Sequence, residues 1–169
     1  MAMVIADWKS PGDGLIVHDT ATGIDWLNLR ATAGISRKEV ESALASAFAG
    51  FRFAGPGNLF TYFANAGISP INEIGIAGEN PAIPKLLQQW GLPCDSSSDA
   101  ISLFLFASCV EANPAGYLSQ VRPPAAPRPN WSANITAGRV GYGLEVGEPC
   151  LGSALMRGGT LDMSGDFES

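Results

Sequence analysis

With 169 residues, a net charge of −6 and only ten Lys and Arg, the chain can bury one proper core, but it has too few cations to track phosphates. That argues against nucleic acid and anionic membrane surfaces as partners. Hydrophobic residues make up 46% and charged residues 15%, against roughly a quarter charged in typical soluble domains; disorder is excluded, and part of the surface is expected to meet a partner or further copies of the chain.

Gly (20) and Pro (12) are abundant, which favours short elements joined by turns. "MVIADW" reads as a first strand, ended by the Pro-Gly and Asp-Gly turns of "KSPGDG". "LIVHD" and "IDWLNL" then read as two strands around the turn "TATG", where Gly23 takes positive φ. In the second strand Ile24, Trp26 and Asn28 share one face, with Asp25, Leu27 and Leu29 on the other, so Trp26 is expected in the core. "GISRKEVESALASAFAG" follows as a helix. Ser36 and Glu39 form a capping box, Val40, Leu44, Ala47 and Phe48 form the apolar stripe, and Gly50 is the stop. "FRFAG" is a short extended piece. "PGNLFTYFANAG" is a second, shorter helix that buries Leu59, Phe60 and Phe63 and is closed by Gly67.

Irregular chain then runs to "IPKLLQQWG", a two-turn helical piece with Pro84 at its start. "AISLFLFASCV" is apolar on both faces and reads as a central strand. Four prolines in "RPPAAPRP" make an edge or polyproline loop rather than a packed element. "AGRVGYGLEVG" and "GSALMRGG" read as two more strands around "EPC", and 161–169 as a frayed tail. No apolar run reaches the ~18 residues of a membrane span.

Candidate sites are few. Asp13, Asp19 and Asp25 lie close along the hairpin, and an oxygen-rich turn of this kind suits calcium, although the spacing fits no known loop signature; Asp95 and Asp99 make a second such loop. His18 is the only histidine. It neighbours Asp19 on a strand, where adjacent side chains face opposite ways, so the two form no catalytic dyad. Carboxylates such as Glu73, Glu79, Glu111, Glu145 and Glu148 would be needed for glycosidase chemistry, and nothing pairs them. Trp90 and Trp131 fall in expected loops, where an exposed indole stacks on a sugar or a partner. Asn130 and Asn134 head glycosylation sequons, and Pro124 and Pro127 form a P-x-x-P. Cys94 and Cys109 would close a loop of about 15 residues, worth roughly 3 kcal/mol as a disulfide; reduced thiols, including Cys150, are the alternative.

The run "GDGLIVHDTATGIDWLNL", followed by "GISRKEV", "GFRFAGPGNLFTYFANAG" and a closing "GSALMRGG", resembles a group of exported bacterial domains. These are the C-terminal domains of collagen-like adhesins and the N-terminal domains of proteins with a PEP-CTERM sorting tail. The likeness covers residues 12–67 and 152–157. Two features depart from it: Gly55 stands where those domains usually carry Thr, and no sorting tail follows. The resemblance implies a C-type-lectin-like α+β fold: one compact domain over 1–160, an antiparallel sheet with an N-terminal hairpin, two short helices and long irregular loops. It also implies export to the cell surface or matrix, without catalysis. There the chain would bind a glycan or protein through a variable middle region, about 68–136, with Trp131, Trp90 and Asn130 as ligand contacts. A self-assembling surface subunit is the second expectation, and a hydrolase using a carboxylate pair the third.

Overall fold

The computed structural model describes residues 3–68, 82–91, 94–95, 99–105, 115–121, 130–138 and 151–164. Strand β1 (Met3–Ala6) runs into a loop that two aspartates organise. Asp13 accepts from the backbone N–H groups of Trp8, Lys9, Ser10 and Leu15, and Asp7 from those of Gly12 and Gly14. These bonds satisfy donors that a loop cannot pair by itself. Strands β2 (Ile16–Asp19) and β3 (Ile24–Leu27) then form the expected hairpin. Its turn closes where the Asp19 carboxylate accepts the Ala21 N–H and the Asp19 carbonyl accepts those of Thr22 and Gly23, with Gly23 at φ +73°.

A 3₁₀ turn (Leu29–Ala31) leads to α1 (Arg37–Ala43), capped as expected by Ser36 Oγ on the Glu39 N–H. The expected stripe to Phe48 is not all helix. Helix α1 ends at Ala43, and the Ser46 and Phe48 N–H groups both bond to the Ala43 carbonyl in successive turns. Ala47 is exposed, Leu44 is only partly buried, and Phe48 is anchored, stacked on Trp8 at 5.9 Å. A run of small residues with nothing to bury has little to hold it in a helix.

Strand β4 (Arg52–Phe53) precedes α2 (Pro56–Asn65), and α3 (Ala82–Trp90) follows. The described residues therefore hold three α-helices rather than two, and Pro84 is the third residue of α3. Strands β5 (Cys94–Asp95), β6 (Asp99–Leu105), β7 (Ala115–Val121) and β8 (Asn130–Gly138) belong to the middle of the chain, and β9 (Leu151–Ser153) and β10 (Leu155–Arg157) close it.

Among the described residues the fold is α+β with few helices, and its strands form two five-stranded sheets where one was expected, the first antiparallel and the second antiparallel but for β9. The first has the order β1-β2-β3-β10-β4, with Met156 opposite Trp26 and Leu155 opposite Phe53. The second has the order β5-β6-β7-β8, with β6 central as its two apolar faces suggested; β9 adds to β6 in parallel. Only Ala154 separates β9 from β10, so one extended segment serves both sheets.

The first sheet is buried on both faces. Val17, Trp26 and Met156 point toward α2 and α3, while Ile16, Leu27, Leu155 and Phe53 pack with Val40 and Phe48. Trp26 stacks on Tyr62 with ring centroids 4.2 Å apart and meets Trp90 edge-on. Residues 161–164, expected in a frayed tail, instead begin as a strap on α2. The Asp162 carbonyl accepts the Gly57 N–H, and the Asp162 N–H donates to Asn58. Among the described residues no helix is long and apolar enough to cross a membrane. Replacing Trp26 with Ala should destabilise the fold by roughly 3–5 kcal/mol, measured as a fall in the denaturation midpoint at unchanged slope; near-native stability would contradict its place at the centre of the core.

Candidate functional site

The strap roofs a pocket of about 390 Å³ at the turn end of the hairpin. The hairpin contributes Asp19, Thr22, Ile24 and Trp26, helix α2 contributes Asn58, Thr61 and Tyr62, and the strap contributes residues 160–163. Local sequence explains each wall. Asp19 ends β2 on the Val17 face, so its side chain turns toward α2, where Asn65 Nδ2 donates to it at 2.9 Å. Asn58 is the joint between helix and strap: its Oδ1 accepts from the Gly55 and Asp162 N–H groups, and its Nδ2 donates to the Thr160 carbonyl.

Gly55 is required by that joint, because its neighbour there is backbone. A Cβ at Gly55 would collide with the Asp162 carbonyl, and one at Gly57 with the Asp162 carboxylate. On the pocket floor Trp26 and Tyr62 are buried, and neither Trp26 Nε1 nor Tyr62 Oη has a hydrogen-bond partner. Burial, with the Asp19 charge adding to it, pushes the Tyr62 phenol well above its ordinary value, so it stays a neutral hydroxyl.

The three hairpin aspartates are not gathered at one point. Asp13 is spent on four backbone N–H groups, which pull its carboxyl down to about 2. Asp19 and Asp25 lie on opposite faces of the sheet, because Asp19 pairs with Ile24 and Asp25 with His18. Among the described residues no cluster of three His, Cys, Asp or Glu side chains is gathered. Trp90, expected in a loop, instead ends α3, is fully buried, and donates its indole N–H to the Leu27 carbonyl at 3.1 Å, so it is a core residue with no face to offer a ligand. Trp131 and Asn130 open β8, opposite Gln120 and Val121. Asn134 lies further along β8, opposite Tyr117. Cys94 and Asp95 form β5, and Asp99 starts β6. Cys109, Cys150, Pro124, Pro127 and the five glutamates Glu73, Glu79, Glu111, Glu145 and Glu148 lie outside the described residues.

His18 forms no dyad with Asp19, as its strand position implied. It pairs instead across the hairpin, donating from Nδ1 to Asp25 Oδ1 at 2.7 Å. Arg157, on β10, donates from Nε and Nη2 to the other oxygen of Asp25, and its guanidinium lies over Phe51 at 4.9 Å. The result is a half-exposed polar row, His18–Asp25–Arg157, that continues the Leu27–Leu155 face of the sheet beyond its apolar part. Desolvation is the largest single influence on Asp25 and opposes its ionisation. The hydrogen bonds and charges of His18 and Arg157 together outweigh it and hold the carboxyl below 3.8.

A carboxyl depressed in the folded state stabilises the protein above its unfolded value, and the gain is lost as pH falls through the folded one. Between pH 5 and 3 the wild type should therefore lose stability faster than Asp25→Asn. At pH 7 the variant should be weaker by about 1 kcal/mol, given the partial exposure of the row. Denaturation midpoints across that range measure both, and parallel curves would refute the coupling. Gly55→Ala, whose Cβ would meet the Asp162 backbone, should displace the strap, making the C-terminal peptide bonds cleavable by protease at concentrations that leave the wild type intact. Equal resistance would show that the strap does not depend on α2.

Compared with known protein families, curated proteins and solved structures, the chain matches none.

Proposed function

We propose that the protein is a non-enzymatic recognition module of C-type-lectin-like architecture. It is exported and acts at the cell surface or in the extracellular matrix, where the region 68–136 meets a glycan or protein partner. One observation carries this reading: the N-terminal hairpin pairs with the closing strand, Trp26 opposite Met156 and Asp25 opposite Arg157. The first and last described strands are consolidated in one sheet, and the region between them is carried on that base through α3 and the second sheet. Rigid bases with variable excursions are where proteins commonly place recognition. The likeness of residues 12–29 to exported adhesive domains supports the cellular setting, in which Cys94 and Cys109 would bridge.

Within this reading Trp131 and Asn130, at the start of β8, are the favoured contacts. Binding of the full chain to arrayed glycans and to immobilised matrix proteins tests it. Retention on at least one surface is expected, with Trp131→Ala weakening it more than tenfold, as for an aromatic anchor. Retention on none, or hydrolysis that stops when one of the five glutamates is replaced, would overturn it.

A second reading, a self-assembling subunit, draws on β1. This strand forms an edge of the first sheet and exposes Val4 and Ile5 at 46% each, a template for strand addition by another copy. Light scattering after size exclusion separates the two. Large assemblies that Val4→Lys dissolves favour the subunit, and a monodisperse small species favours the module.

A further inference from the structure

The pocket under the strap holds polar groups the protein itself leaves unused. Trp26 is 0% and Tyr62 1% exposed, yet the indole N–H and the phenol hydroxyl are both without a partner, and both side chains line this one pocket. Orphaned buried donors are costly and rarely retained. The walls add the Asp19 and Asp162 carboxylates and the hydroxyl-bearing Thr61 and Thr160, with no Lys, Arg or His among the described lining residues. Asn58 is wholly occupied in holding the strap and is not available to a ligand.

The geometry points to a binding site for an uncharged, hydroxyl-rich ligand, a saccharide unit or polyol, between the β2–β3 turn, the start of α2 and the strap. The decision rests on hydrogen-bond polarity. Ionised carboxylates only accept and an indole N–H only donates, so the ligand must do both at neighbouring positions. An anion is repelled by Asp19 and Asp162, and an ammonium group offers Trp26 no acceptor. Adjacent hydroxyls satisfy both. The volume falls within the roughly 300–1,000 Å³ of small-molecule sites. The orphaned atoms are shut from solvent, so the ligand reaches them as the strap shifts; the chain enters the strap through Gly158 and Gly159, at φ +84° and +66°. This site belongs to the scaffold, apart from the region 68–136, and so stands or falls separately from the surface reading above.

The test is thermal shift and calorimetry of the full chain with glucose, galactose, mannose, N-acetylglucosamine and myo-inositol, and with their glycan-linked forms where these exist. Inorganic phosphate and ethanolamine serve as charged counterparts. At least one hydroxyl-rich probe should bind and raise Tm. Preference for the free or for the linked form supports the site equally and identifies its source. Tyr62→Phe removes only the orphaned hydroxyl. It should fold with an equal or higher Tm and bind the same probe about tenfold more weakly. Asp162→Ala should weaken binding as well, whereas Trp131→Ala should leave it unchanged. The inference is overturned if only phosphate or ethanolamine binds, if no probe binds, or if Tyr62→Phe and Asp162→Ala bind as the wild type does.

Discussion

The two sheets are held together by an aromatic cluster that no single element could form. Trp26 from β3 and Tyr62 from α2 lie flat on each other, Trp90 from α3 meets both rings edge-on, and Phe104 from β6 completes the contact at 5.0 Å from Trp90. Offset-stacked and edge-on arrangements are those that ring quadrupoles favour, and each such pair adds to the burial of large apolar area. The Trp90 N–H to the Leu27 carbonyl fixes the rotation of α3 against the hairpin. Packing of this kind leaves little freedom for the heteroatoms at the cluster's edge. Trp26 Nε1 and Tyr62 Oη end without partners because the rings carrying them are positioned by their faces.

The covalent counterpart of that cluster is the segment 151–157. It gives β9 to one sheet and β10 to the other, crossing at the buried Ala154, whose carbonyl accepts the Ala54 N–H at 2.9 Å. Gly152 is pressed against the Leu29 backbone, where a Cβ would lie 2.7 Å from the carbonyl oxygen. The strap continues from the same segment, so the strand that closes the fold also leads into the roof of the pocket. Scaffold and site thus share one stretch of chain, and a disturbance of β10 would be felt at both.

Acidic residues in this protein act mainly on its own backbone and side chains. Asp7 and Asp13 gather the loop after β1, Asp19 shapes the hairpin turn, and Asp25 joins three strands through His18 and Arg157. A carboxylate that accepts several N–H groups is well satisfied by the backbone, which is why closeness along the chain did not gather these side chains in space. Asp19 and Asp162, besides accepting from Ala21, Asn65 and Ser164, also face the pocket, where the described lining residues supply no opposing cation.

Local rules carried much of the fold. The hairpin turn, the Ser36 cap, the core position of Trp26 and the central place of β6 all follow from patterns a few residues long, and the sequence by itself determined them. The pairing of His18 with Asp25 was also within reach, since the register follows from a four-residue turn flanked by Asp19 and Ile24. Only the tertiary structure decided the rest. It brought Arg157 to Asp25 across 132 residues, split the strands between two sheets, buried Trp90, ended α1 at Ala43 and laid 161–164 over Gly55 and Gly57. Each of these depends on which apolar faces meet across the whole chain, and that contest is settled by packing among distant segments, about which spacing along the sequence carries no information.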